Sequence, residues 1–77
     1  MVEVVEVLAR ALVDQPDEVE VEETSQRGDT VYLELRVAPG EMGKVIGRQG
    51  RIASAIRTVA SAAAEKQGLR AIVDIRS

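Results

Sequence analysis

At 77 residues the chain has room for one domain with one modest core. Hydrophobic residues make up 45% of it, too many for a disordered segment, and Tyr32 is the only aromatic among them. The absence of Cys and His excludes disulfides, thiolate nucleophiles, the commonest transition-metal ligand and the commonest general base. Catalysis would have to rest on carboxylates, lysine or hydroxyls, so the chain is expected to be no enzyme and to need no metal or cofactor.

The net charge of −3 divides into −7 over residues 1–40 and +4 over residues 41–77. A polyanion responds to the local field rather than the total, so the second half could meet one. No apolar run approaches the roughly 18 residues of a membrane span, and Glu3 and Glu6 stand where a secretory leader would be basic. The expected location is the cytoplasm, with no membrane partner.

In chain order, Val5, Leu8, Ala9 and Leu12 recur at helical spacing and predict a helix over residues 2–14, stopped by Pro16. Glu18 to Thr24 alternates acid and apolar as a half-buried strand, with Val19 and Val21 inward. Arg27-Gly28-Asp29 is a turn, and Thr30 to Val37 alternates again with Val31, Leu33, Leu35 and Val37 on one face, so a hairpin is expected. Pro39-Gly40 breaks it, and a short apolar piece follows, about two turns if helical. From Arg51 an Ala-rich helix places Ile52, Ile56, Val59, Ala60 and Ala63 on one stripe and stops at Gly68. Leu69 to Ile75 is a final β-branched strand. The order α-β-β-α-α-β predicts a two-layer α+β domain over 1–77, a three-stranded mixed sheet with its helices on one face.

The chemistry concentrates in "GKVIGRQGRI", Gly43 to Ile52. A Walker A loop needs G-x-x-x-x-G-K-[ST], which is absent, and a dinucleotide fingerprint should lead directly from a strand. What remains is G-x-x-G, Gly47-Arg48-Gln49-Gly50, between two helical patterns. Glycine at both ends lets the backbone turn tightly and brings amide N–H groups close to a ligand. The start of the long helix adds unpaired N–H groups and partial positive charge, which favour phosphate. Lys44, Arg48 and Arg51 place three cations around that point. Arg57 and Lys66 could bind or only solvate the helix, and Arg70 and Arg76 could line a groove wall or guard an edge strand.

"VIGRQGRI" resembles the V-I-G-x-x-G run of KH domains, modules that bind RNA and single-stranded DNA. The element order resembles their type II arrangement. "ALVDQPDEVEV", "LRVAPGEMGKVIGRQGRIASAIRTV" and "AAAEKQGLRAIVDI" resemble the small stand-alone bacterial KH proteins of the KhpA kind, across essentially the whole chain. The resemblance implies that the loop clamps the backbone of about four nucleotides. Gly47 and Gly50 would allow the close approach, and Arg48 and Gln49 would face phosphate, with Lys44 and Arg51 beside them. Val45, Ile46, Ile52 and Ile56 would supply apolar surface under the bases or in the core behind it.

No aromatic residue lies near the loop, so base stacking worth about 1–3 kcal/mol per base is unavailable, and weak, unselective binding is expected. The resemblance also implies a homodimer or a heterodimer with a larger KH-containing partner, and no small-molecule substrate. Two readings follow: an RNA-binding protein, as RNA chaperone or post-transcriptional regulator, and an adaptor that works mainly by dimerisation.

Overall fold

Alternation of Val and Leu with polar residues builds the sheet on which everything else rests. In a computed structural model describing residues 1–77, strand β1 (Glu20–Arg27) pairs antiparallel with β2 (Thr30–Arg36). Strand β3 (Arg70–Arg76) runs parallel to β2 on its other side, giving the order β1-β2-β3. Three helices complete the chain: α1 (Val2–Leu12), the short α2 (Met42–Ile46) and α3 (Arg51–Glu65). Element order, mixed sheet and helix placement are those read from the sequence.

Two differences in strand β1 have local causes. It begins at Glu20 because Pro16–Glu18 form a single tight helical turn first, and buried Val19 closes that turn through its N–H to Pro16 O at 3.1 Å. It extends to Arg27 because the register skips Thr24, an extra residue between the pairs Glu23–Leu33 and Ser25–Tyr32. Thr24 Oγ1 donates to Tyr32 O at 3.2 Å at this bulge, which bends and twists the hairpin.

The inner face of the sheet presents Val31, Leu33, Leu35, Val73 and Ile75, all buried. Helix α1 covers it with Val5 and Ala9, followed by Val13 just past its end. The long helix turns Ala53, Ile56, Ala60 and Ala64 inward. This corrects the expected stripe in part: Ile56 and Ala60 face inward as read and Ile52 packs half-buried against the core, whereas Ala53 and Ala64 join the inner face and Val59 stands at the rim. Alanine on the sheet side lets the helix approach closely. Val59 is 39% exposed, and Leu12 on α1 is 38% exposed rather than facing the core.

One acid belongs to the interior. Glu41, only 5% exposed, stands just before α2 and accepts backbone N–H groups from Asp14 at 2.8 Å and Gln15 at 3.4 Å. The pair ties the exit of α1 to the entry of α2, and so fixes where the following loop stands.

Candidate nucleic-acid interface

Helix α2 ends because Gly47 leaves helical geometry at φ 76°, ψ 174°, while its N–H still donates to Gly43 O at 2.9 Å. A Cβ at Gly47 would lie 2.5 Å from Ile52 Cγ1, closer than non-bonded carbons approach. Two further residues adopt left-handed backbone: Gln49 at φ 56°, ψ 26°, and Gly50 at φ 73°, ψ 14°. Gln49 is the only non-glycine residue with positive φ in the chain. That conformation costs a residue with a Cβ about 1–2 kcal/mol, and such strain collects at functional sites. Gly50 then opens α3, whose first turn holds no acidic residue and no side-chain cap. An uncapped helix start behind a tight left-handed turn presents N–H groups and partial positive charge to solvent.

The cations expected here separate into two kinds. Arg48 is exposed and makes no ion pair, and Arg51 donates from Nη2 to Gln49 Oε1 at 3.3 Å. Lys44, by contrast, is bound to the Asp14 carboxylate and lies 3.7 Å from Glu41 Oε1. Its pKa is raised above the ordinary lysine value, first by that hydrogen bond and then by the two negative charges. Lys44 therefore braces α2 against the end of α1, one turn before the loop. Ile46 and Ile52 are half-buried against the core, whereas Val45 and Ile56 are buried within it.

Helix α3 leads away from the loop with two different flanks. Toward α1 it borders a groove lined by Leu8, Leu12, Ile52, Ala55, Ile56 and Val59, with Arg51 at the rim. Toward β3 it presents Ser54, Arg57, Thr58 and Ser61. There Arg57 Nε donates to Val73 O at 3.2 Å, joining the middle of the helix to the middle of the edge strand. The phase of the strand explains why that carbonyl is free. Arg70 N–H bonds to Asp29 O (2.7 Å) and Val37 N–H to Arg76 O (3.0 Å), so the backbone groups of even-numbered residues serve β2 and those of Ala71, Val73 and Ile75 point to the free edge. Sequence reasoning left the role of Arg57 open, and only the strand phase reveals the carbonyl it reaches.

The two-layer α-β-β-α-α-β fold, with a G-x-x-G turn at the head of its longest helix, defines a KH domain of the type II arrangement. Residues 2–75 match the family described as the KhpA/KhpB KH domain, and the chain belongs to that family. The protein named RNA-binding protein KhpA from Clostridium acetobutylicum is 55% identical over 75 residues, spanning 97% of this chain and 99% of that one. Its namesake from Caldanaerobacter subterraneus is 56% identical with the same coverage. Among solved structures, Aquifex aeolicus Era bound to GDP and aluminium fluoride superposes with a TM-score of 0.76 at 18% identity. The match takes in 97% of this chain and 29% of Era, so it concerns one part of that larger protein and the fold alone. Era in complex with a nucleotide analogue and a 16S ribosomal RNA fragment gives a TM-score of 0.72 at 20% identity, covering 28% of that chain.

Proposed function

We propose that the protein binds single-stranded RNA in the cytoplasm, as an RNA chaperone or post-transcriptional regulator, without catalysis or cofactor. One observation carries the reading: Gly47, Gln49 and Gly50 all adopt positive φ at the uncapped start of α3, beside the unpaired Arg48. The name of the relatives supports it. The phosphodiester backbone lies against the loop amides, with Arg48 as its cation and the Gln49 side-chain amide as a further donor. Arg51 holds Gln49 in place. Lys44 contributes by bracing α2. With few phosphate contacts and no aromatic platform, affinity is low and strongly salt-dependent.

The deciding experiment is RNA retention by Arg48→Asp/Gln49→Asp against the wild type, with folding verified by circular dichroism. Binding is expected to disappear in a folded variant. Undiminished binding would show that the loop is not the site.

The apolar groove favours a second, compatible role. Leu12 and Val59 remain more than a third exposed at its edges, and Leu8, Ile52 and Ala55 continue it between two helices. The same patch on a second copy is self-complementary through a two-fold axis, and a larger KH-containing protein with a similar α3 could replace that copy. Sedimentation equilibrium without RNA is expected to show a dimer, and a strict monomer that captures no such partner removes the adaptor reading.

A further inference from the structure

Ion pairing sorts the ten basic side chains by position. Arg10, Arg36, Lys44 and Arg76 lie within 4 Å of carboxylates, whereas Arg27, Arg48, Arg51, Arg57, Lys66 and Arg70 make no such pair. The division is sharpest on the helix-free face of the sheet. At one end Glu34 holds both Arg36 and Arg76 at 3.3 Å, and Asp74 adds a second bond to Arg76 at 2.8 Å. At the other end the register aligns Arg27 with Thr30, and Thr30 with Arg70, in one cross-strand row. Their side chains share the helix-free face, because the alternate positions Val31 and Val73 are buried under the helices. With strands about 4.8 Å apart, the two arginines flank the Thr30 hydroxyl at a Cα separation of about 10 Å.

Two guanidinium groups free of ion pairs, on either side of Thr30, can each offer forked donors to a phosphate. Two acids stand nearby without pairing to either arginine: Asp29 Oδ1 accepts the Thr30 hydroxyl at 3.4 Å, and Glu65 lines the same cleft as Thr30, Ser61 and Arg70. A continuous path leads there from the loop. Helix α3 is about 22 Å long at 1.5 Å per residue. Its polar flank carries Ser54, Arg57, Thr58 and Ser61, and then Glu65, along the free edge of β3 to a cleft lined by Thr30 and Arg70.

We infer that Arg27, Thr30 and Arg70 form a second phosphate-contacting site, which lengthens the RNA footprint beyond the loop clamp to the far end of α3. The inference rests on the proposed RNA binding and adds to it a distinct site and a minimum length of ligand. An RNA of four nucleotides reaches only the loop, and one of about twelve reaches both ends.

The test is the salt dependence of fluorescence anisotropy with oligouridylates of these two lengths. Salt slope is the chosen quantity because it counts phosphates neutralised and is unaffected by the number of registers a longer strand offers. Two additional phosphate contacts steepen the slope for the longer strand by about 1.4, so a fourfold rise in salt weakens it about sevenfold more than the short one. In Arg27→Gln/Arg70→Gln that difference is expected to vanish while the short strand binds as before. Arg36→Gln/Arg76→Gln, an equal loss of charge from the neutralised end, is expected to keep it. Equal slopes for both strands on the wild type, or a difference that survives Arg27→Gln/Arg70→Gln, overturns the second site and leaves the loop reading intact. A wild type that binds neither strand at low salt removes the RNA-binding reading itself. Loss of self-association in Arg27→Gln/Arg70→Gln with an unchanged slope difference would assign the row to a protein contact instead.

Discussion

The two flanks of helix α3 start at the same loop and diverge in chemistry. The α1 side is walled by Leu8, Leu12, Ile52, Ala55 and Val59 and offers almost no hydrogen-bonding group. The β3 side offers serine and threonine hydroxyls, the Arg57 guanidinium and the outward backbone of an edge strand. The helix thus has three faces: its alanines hold the sheet, its large aliphatics wall the groove, and its polar residues line the edge strand. Under the proposed function, separation of the last two would let protein association and RNA binding proceed together, and substitutions on either flank test that independence.

The largest effect is expected where both flanks begin. In Gly47→Ala the new Cβ collides with Ile52 and the backbone must keep a φ of 76°, which together cost about 2–5 kcal/mol of stability. For a domain of this size each kcal/mol lowers Tm by about 4–8 °C, so thermal denaturation measures it directly, and RNA retention should fall with it. Val59→Glu places a charge in the apolar groove and should weaken self-association at least tenfold, about 1.4 kcal/mol, in sedimentation equilibrium. RNA affinity should not change. Arg57→Gln is its counterpart on the other flank. It should lower RNA affinity several-fold and flatten the salt slope by about 0.7, one phosphate contact, with sedimentation unaltered.

Two smaller effects concern the loop itself. Gln49→Gly relieves left-handed strain of about 1–2 kcal/mol but adds about 0.5–1 kcal/mol of chain entropy loss, so its Tm should equal or slightly exceed that of the wild type. The smallest effect comes from Lys44. Because its folded pKa is raised, the stability it contributes is complete below the ordinary lysine value and is lost only as pH climbs through the higher folded one. Wild type and Lys44→Met should therefore run parallel in denaturation from neutrality to about pH 9 and converge in more alkaline solution.

Much of this architecture is legible in the chain. Strict alternation at Val31, Leu33, Leu35 and Val37 marks the central strand, and glycine spacing marks the turn between α2 and α3. Which side of α3 faces the sheet is not legible, because periodicity treats alanine and isoleucine alike whereas close packing prefers the smaller. Position of Lys44 in the chain places it among the loop cations, but its main partner, Asp14, is distant in sequence, as are the backbone groups that bond Glu41. The left-handed state of Gln49 is equally hidden, since glutamine has no preference for it and the flanking turns impose it. The free ends of the sheet depend on register, which a bulge at Thr24 alters by one residue.

Ile52 fills the space that any side chain at position 47 would need, and it also walls the groove offered to another protein. Position 47 is thus closed twice, by its backbone and by its neighbour: φ 76° with ψ 174° suits glycine alone, and even the Cβ of Ile52 would stand 2.8 Å from an added Cβ. Trimming residue 52 cannot readmit a side chain at 47, so the groove wall is free to vary while the turn is not.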